Sequence, residues 1–178
     1  GYLRILNFNT FMGTTKYVTP LEQAEAAKNA GGYAVVCQHT PEQVAEAAGH
    51  LHILAWHHPD EPDLPKENEE GVYVPRQNPE VIRERYRFMR GKNIDRPVFV
   101  TFTAHFMKEF QNRFDDQKKQ EVYPPLIEAA DVVGFDVYPI YGWGMPSWLN
   151  YPASGVKQLK QIAGGRPRGR PLGFVCSL

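Results

Sequence analysis

Apolar runs of strand length alternate with helix-start signals along this sequence, and this alternation limits the fold more than any other feature. The runs span residues 3–9, 33–37, 53–57, 97–102, 132–138 and 172–175. Between them, Thr19 and Thr40 each precede a proline and are followed three positions later by Glu22 and Gln43, which is the capping-box pattern of a helix N-terminus. Apolar strands that are each followed by a helix predict a parallel sheet covered by helices.

Two parallel arrangements fit this pattern, a β/α barrel and a doubly wound open sheet. No glycine-rich phosphate loop follows any run, which removes the usual sign of a nucleotide-binding open sheet. Polar and aromatic residues instead follow the predicted strand ends, where β/α barrels build their active sites. They are Asn9, Thr10, Gln38, His39, Asp60, Glu61, Thr103, His105, Tyr138 and Tyr141. We therefore predict one domain over residues 1–178, a partial (β/α)8 TIM barrel of about six β/α units.

The charge balance and the apolar runs argue against several classes of partner. Lys plus Arg and Asp plus Glu each number 20, so the formal net charge is zero and neither a nucleic-acid nor an anionic-membrane partner is predicted. No apolar run approaches the ~20 residues that span a bilayer, and Asn7 and Asn9 interrupt the first run, so we expect a soluble chain without a signal peptide. Cys37 and Cys176 lie in apolar runs and are expected to be small buried side chains. The cellular location stays open.

The segment WHHPDEPD, residues 56–63, carries three carboxylates, two histidines and two prolines at the end of the third apolar run. A carboxyl group at such a strand end donates a proton to a leaving group when partial burial or a neighbouring carboxylate raises its pKa. The alternative is a solvated acidic turn in which Asp60 or Asp63 caps backbone amides. Spacing alone leaves both interpretations open, with Glu61 as the best candidate for a catalytic residue.

A strand ending in a Glu-Pro pair, here Glu61-Pro62, resembles the fourth-strand motif of the retaining glycosidases built on (β/α)8 barrels. In that clan the glutamate before the proline is the general acid/base. The resemblance therefore implies that role for Glu61, a carbohydrate substrate with β-glycosidic bonds, and no cofactor. The preceding residue in the clan is usually an asparagine that contacts the sugar 2-hydroxyl, whereas this sequence has Asp60, as in Asp-Glu-Pro relatives.

The segment DVVGFDVYPI, residues 131–140, resembles the sixth-strand segment of the same enzymes, in which a tyrosine at the strand end lies near the nucleophile. Tyr138 is the matching position and is predicted to act at the reaction centre. Residues expected to contact substrate are Asn9, His39, His57, Asp60, His105, Asp136, Tyr141, Trp143 and Trp148. For the aromatic residues among them, packing over the barrel rim is the alternative to stacking on sugar rings. The resemblance covers about residues 3–175 and is most specific at the two quoted segments.

The resemblance also implies an incomplete catalytic pair. If Glu61 ends the fourth strand, the sequence supplies strands two to seven of the barrel and we expect a chain truncated or altered near its end. The clan's nucleophile, a glutamate ending strand seven, aligns near Ser177 or near Gly173, and neither is a carboxylate. A retaining mechanism needs two carboxyl groups about 5–5.5 Å apart. Asp136 or a carboxylate of a partner chain is left to fill that role.

Three functions stay open at this point. The first is a glycoside hydrolase, and the second is a catalytically impaired or inactive barrel fragment that at most binds carbohydrate. The third is a metal-dependent hydrolase that uses histidines near the strand ends, although no ligand spacing typical of a metal site occurs and no metal is expected. Because exposed strand edges invite pairing with another chain, we also predict a homo-oligomer that completes the open barrel.

Overall fold

The computed structural model describes residues 7–13, 18–37, 40–92, 95–110, 113–140 and 142–164, together with the backbone of 173–177. In chain order the elements are β1 (Thr10–Met12), α1 (Pro20–Asn29), β2 (Tyr33–Val36), α2 (Pro41–Ala47), β3 (Ile53–His57), β4 (Pro65–Glu67), β5 (Tyr73–Pro75), α3 (Pro79–Gly91), β6 (Val98–Phe102), α4 (Asp116–Glu128), β7 (Val132–Asp136), α5 (Tyr151–Ala163) and β8 (Gly173–Ser177), with single 3-10 turns at Ala104–Phe106 and Pro146–Trp148.

Six strands form one sheet in the order β1-β2-β3-β6-β7-β8, and every neighbouring pair is parallel. The five strands whose side chains are described form a curled parallel half-barrel, to which β8 adds its backbone. A mixed α/β fold with a parallel sheet is therefore confirmed. Whether the sheet is part of an eight-stranded TIM barrel of six β/α units stays a proposal.

Both predicted capping boxes are present. The Thr19 hydroxyl accepts the backbone N–H of Glu22 at 3.2 Å, and the Glu22 carboxylate accepts the backbone N–H of Thr19 at 2.7 Å. Thr40 and Gln43 repeat this arrangement at 3.4 and 3.0 Å. Each box pairs two N–H groups that a helix start otherwise leaves without a partner. These local contacts fix where α1 and α2 begin.

Alternating residues of each strand divide between the helix-covered face and the inner face of the half-barrel. On β6, Val98, Val100 and Phe102 are fully buried in the cores formed with the helices. Phe99 and Thr101, which alternate with them, are only partly buried and lie on the inner face. Within the described residues, no helix has both the length and the apolar character needed to cross a bilayer.

Among the described residues, the first strand begins at Thr10, after the predicted run of residues 3–9. Residues 7–9 precede β1, and residues 3–6 of the predicted run lie outside the described residues. Pairing decides the position, because Phe11 and Met12 align with β2, while the carbonyl of Asn9 accepts the backbone N–H of Tyr33 at 2.8 Å. Asn9 consequently lies at the N-terminal edge of the sheet, opposite the edge where it was predicted.

The stretch 62–77 is polar and contains prolines, a composition typical of a loop, but the structure shows the antiparallel hairpin β4–β5 within it. Its turn is organised by Asn68, whose side-chain oxygen accepts the backbone N–H groups of Glu70 and Val72 at 3.0 and 2.8 Å. Asparagine side chains commonly replace backbone acceptors in this way. The hairpin returns the chain to the end of β3, and that return shapes the site described next.

Candidate active site

Glu61 lies in a tight turn four residues beyond the end of β3, at the carboxyl edge of the sheet. Its backbone has φ of +44°, in the left-handed region that side chains other than glycine adopt rarely. The carbonyl of Glu61 accepts the backbone N–H of Leu64 at 3.1 Å, which closes the turn. Unusual backbone conformations of this kind cluster at functional sites.

Arg76, which follows β5, contacts this turn directly. Its Nη1 donates to the backbone carbonyl of Asp60 at 2.9 Å, and its Nη2 lies 3.3 Å from Oε2 of Glu61. Arg76 is not among the residues expected from the sequence, because residues 62–77 have the polar, proline-containing composition typical of a loop. One feature of the sequence could have pointed to Arg76. It comes two positions before Asn78, the N-cap of α3, so its backbone is fixed where the hairpin leads into that helix.

The electrostatic surroundings favour a protonated Glu61. Burial raises the pKa of its carboxyl group most, and the negative charges of Asp60 and Asp136 raise the pKa further. Arg76 acts in the opposite direction, by its charge and by its hydrogen bond. The side chain of Glu61 keeps 27% of its surface exposed, so the carboxyl group is accessible from solvent. A raised pKa and an accessible oxygen are what a general acid requires.

Asp136 and Tyr138 bring a second strand to the same place, the carboxyl end of β7. The pKa of Tyr138 is raised to about 12 by burial first, then by the charge of Asp136 and by a hydrogen bond with it. The Tyr138 hydroxyl therefore stays protonated at neutral pH and acts as a donor. Glu61 and Asp60 also raise this pKa, which ties the end of β7 to the Glu61 turn.

Asp63 belongs to the same segment but has a structural position. Its side chain is fully buried and accepts the backbone N–H of Thr103 at 2.9 Å, the Thr103 hydroxyl at 2.7 Å and the Tyr123 hydroxyl at 3.0 Å. For Asp63, capping of a backbone amide is thus what the structure shows. Burial raises the pKa of its carboxyl group to about 7, against the effect of the three hydrogen bonds.

The three histidines of this region differ in position. His57 is 1% exposed, and its Nε2 lies 2.8 Å from the Thr101 hydroxyl. Its contact with substrate stays a prediction. His58 is fully buried and donates from Nε2 to the carbonyl of Ala129 at 2.8 Å, and burial lowers its pKa to about 4. His105 is half-buried, and its pKa is lowered first by burial and then by the positive charges of Arg113 and Lys119.

Beside Tyr138 lies an aromatic patch formed by Phe110, Tyr138, Trp143, Trp148 and Tyr151. Trp148 stacks on Tyr151 with ring centroids 5.0 Å apart, and Phe110 meets both rings edge-on. Trp143 packs edge-on against Tyr138 at 6.2 Å, and these two side chains keep 38% and 37% of their surface exposed. Of the two predicted tryptophan platforms, Trp143 is therefore open to a ligand, while Trp148 is engaged within the patch.

The remaining predicted residues divide into two groups. Asn9 lies at the opposite edge of the sheet, so the structure does not bring it to Glu61. His39 and Tyr141 lie outside the described residues. Within the part of the chain that is described, no group of three or more His, Cys, Asp and Glu side chains is arranged to hold a metal ion.

No protein-family model matches the chain, and no curated protein matches it. Among solved structures, the chain is similar to the GH2 beta-galacturonidase from Eisenbergiella tayi bound to galacturonate, with a TM-score of 0.57 and 14% identity over 98% of this chain and 30% of that one. It is also similar to a glycosyl hydrolase family 2 member from Bacteroides cellulosilyticus DSM 14838, with a TM-score of 0.45 and 16% identity over 98% of this chain and 24% of that one. The chain thus spans about 30% of the length of the first of these enzymes, and the likeness to that enzyme is one of fold.

Proposed function

We propose that the chain is a glycoside-hydrolase domain, or part of one, that cleaves β-glycosidic bonds with Glu61 as general acid/base. The observation that carries this proposal is the set of carboxylates at one edge of the parallel sheet, where Asp60 and Asp136 raise the pKa of a half-buried but accessible Glu61. The fold likeness to a GH2 glycosidase supports it, as does the Glu-Pro motif at the strand end.

In the proposed reaction, protonated Glu61 transfers its proton to the glycosidic oxygen while the bond from that oxygen to the sugar carbon breaks. The leaving group departs as an alcohol, and Glu61 becomes a carboxylate. The sugar carbon meanwhile bonds to the second carboxyl group of the site as a glycosyl ester. The Glu61 carboxylate then removes a proton from the water that displaces this ester, which releases the sugar and restores the acid form of Glu61. Burial beside Asp60 and Asp136 favours the first step, because it disfavours a negative charge on Glu61 before the bond breaks.

We propose Asp136 as the second carboxyl group of the site, since it acts electrostatically on Glu61 from a different strand. Because Glu61 serves as both acid and base, the proposed reaction retains the anomeric configuration and requires the two carboxyl groups to lie about 5–5.5 Å apart in the substrate complex. Tyr138 assists by donating a hydrogen bond to Asp136, which holds that carboxyl group in place at the end of β7.

The exposed faces of Trp143 and Tyr138 are proposed to stack on a sugar ring, because ring C–H groups pack well on aromatic surfaces. Asp60 and Asp136 are proposed to bind sugar hydroxyls. His39, His105 and Tyr141 stay predictions as substrate contacts, and the sugar is unassigned. The solved relative was bound to galacturonate, so a galacturonide belongs among the trial substrates beside neutral sugars.

A protein that binds carbohydrate without cleaving it is the second candidate function. The exposed aromatic rings of Trp143 and Tyr138 favour it, because a stacking surface binds sugars whether or not a catalytic pair is complete. Retained sugar binding together with no turnover on any glycoside would favour this candidate over the first.

The predicted homo-oligomer is also a proposal. In the described part of the chain, β1 and β8 are the outer strands of the sheet, and each pairs with a described strand on one side only. Their other edges could pair with a second copy of the chain. Light scattering coupled to size-exclusion chromatography tests it, with a mass above that of one chain expected. A single species at 20.3 kDa over a range of concentrations would contradict it.

The test of the proposed function is turnover of a panel of chromogenic β-glycosides by the natural sequence and by Glu61→Gln. Glutamine keeps the shape of the side chain, but its amide group is too weakly acidic to transfer a proton to the glycosidic oxygen. Glu84→Gln, at an exposed position of α3, is the matched control and should keep full turnover. Turnover that survives Glu61→Gln unchanged would reject Glu61 as the acid/base.

A further inference from the structure

We propose that Arg76 is the positioning residue for Glu61: the β4–β5 hairpin returns Arg76 to the Glu61 turn, where its guanidinium group fixes both the backbone and the carboxyl group of that turn. This inference rests on the proposed function of Glu61. It assigns a role in the reaction to a residue that neither donates a proton nor stacks on the sugar.

The contact geometry is that of a two-pronged clamp. Nη1 of Arg76 donates to the main-chain carbonyl of Asp60 at 2.9 Å, and Nη2 donates to Oε2 of Glu61 at 3.3 Å. The guanidinium group is planar and rigid, so its two N–H donors have a fixed geometry. One binds the Asp60 carbonyl and the other the Glu61 carboxyl group, which fixes the carboxyl group relative to the backbone of the turn. A single flexible ammonium group cannot do this.

The main chain around Arg76 is tied to the same turn. The backbone N–H of Arg76 donates to the carbonyl of Leu64, and that of Gln77 donates to the carbonyl of Pro62, both at 2.9 Å. The Arg76 side chain thus starts from a fixed backbone point rather than from a mobile surface loop. Its exposed fraction of 38% is consistent with a side chain that is held at the rim of the site.

The Glu61 turn needs such support. Glu61 has φ of +44°, and a non-glycine residue keeps a left-handed conformation only where surrounding contacts hold it there. The negative charges of Asp60 and Asp136 also act on the Glu61 carboxyl group. The positive charge of Arg76 offsets part of this repulsion, so the carboxyl group can return to its charged form after the proton has left.

The clamp also decides which oxygen of Glu61 carries the proton. An N–H donor faces Oε2, so a proton on that oxygen would compete with the hydrogen bond from Arg76. Protonated Glu61 therefore carries its proton on Oε1, the oxygen that Arg76 does not contact. In the proposed reaction, Oε1 is the atom that protonates the glycosidic oxygen.

The test compares Arg76→Met and Arg76→Lys with a matched control, Arg83→Met. Arg83 lies on α3, pairs with Glu80 at 3.1 Å and Glu128 at 3.6 Å, and is about as exposed as Arg76. We expect Arg76→Met to lower kcat/KM by about tenfold or more, since small misplacements of a reacting group are costly. The alkaline limb of its pH profile should move to higher pH. Arg76→Lys should recover part of the loss, and Arg83→Met should match the natural sequence.

A second measurement does not depend on turnover. Carbon-13 NMR of protein labelled on the glutamate carboxyl groups follows the titration of Glu61, whose signal is assigned from its disappearance in Glu61→Gln. The Glu61 midpoint should rise in Arg76→Met and stay unchanged in Arg83→Met. A midpoint and pH profile that are the same in Arg76→Met as in the natural sequence would overturn the role of Arg76, even with Glu61 established as the acid. If Glu61→Gln keeps its turnover, the proposed function fails, and the titration still decides whether Arg76 controls the Glu61 carboxyl group.

Discussion

Replacement of Asp63 by asparagine should remove a pH dependence from the stability of the fold. Burial raises the pKa of Asp63 from its ordinary 3.8 to about 7. Between these two values the folded protein keeps a proton that the unfolded chain has released. The free energy of unfolding contributed by Asp63 is therefore fully present below about pH 4 and is lost as the pH rises to about 7.

The size of this effect follows from the shift. A difference of about 3 pKa units, at about 1.4 kcal/mol per unit, corresponds to at most about 4 kcal/mol. Asparagine keeps the hydrogen bonds, because its Oδ1 accepts the Thr103 N–H and its amide donates to the Thr103 and Tyr123 hydroxyls, which reverse their roles. Asp63→Asn should accordingly be more stable than the natural sequence at pH 8 and similar to it at pH 4.

Urea unfolding of both proteins at several pH values between 4 and 8 measures this. Asp115→Asn is the matched control, since Asp115 is the exposed N-cap of α4 and asparagine caps equally well. It should keep the pH slope of the natural sequence. The reasoning is refuted if Asp63→Asn is less stable than the natural sequence at pH 8, or if its free energy of unfolding depends on pH as steeply as that of the natural sequence. Either result would mean that the three hydrogen-bond donors lower the Asp63 pKa more than burial raises it.

Three other substitutions follow from the structure. Glu61→Asn should abolish turnover yet raise the free energy of unfolding by up to about 1 kcal/mol relative to Glu61→Gln, because asparagine tolerates the left-handed backbone; equal urea midpoints would contradict this. Gly155→Ala should lower the free energy of unfolding by about 1–3 kcal/mol, because the added methyl group would meet the buried ring of Phe135 on β7. Gly91→Ala is the control and should not destabilise the protein, because the space around that position is open. Similar thermal midpoints for the two variants would contradict the close packing of Gly155 on Phe135. Trp143→Ala should weaken sugar binding in isothermal titration about tenfold or more while Trp148→Ala mainly lowers the melting temperature, and an unchanged Kd in Trp143→Ala would remove it as a platform.

Local signals in the sequence were sufficient for several features. The capping boxes at Thr19 and Thr40 depend on residues three positions apart, and both are present. The alternation of apolar runs and helices predicted the parallel sheet for the same reason. The position of Glu61 beyond a strand end likewise required only the order of residues along the chain.

Features that depend on distant contacts were not predictable in this way. Pairing with β2 determines where β1 begins, and Asn9 therefore lies at the N-terminal edge of the sheet and not at the predicted carboxyl edge. Arg76 contacts Glu61, 15 positions earlier in the chain, only because a hairpin folds back between them. Asp63 is structural because its donors, Thr103 and Tyr123, come from 40 and 60 residues further along the chain. In each case the decisive partner is absent from the local sequence.

The dependence of turnover on the leaving group tests the central claim, that Glu61 protonates the glycosidic oxygen, most directly. Glycosides with a dinitrophenyl group need no proton, whereas those with a simple alkyl or phenol group do. Glu61→Gln should therefore lose about 10²–10⁴-fold in kcat/KM on the poor leaving groups and much less on the dinitrophenyl glycoside. An equal loss on both kinds of substrate, or no loss on either, would contradict the account.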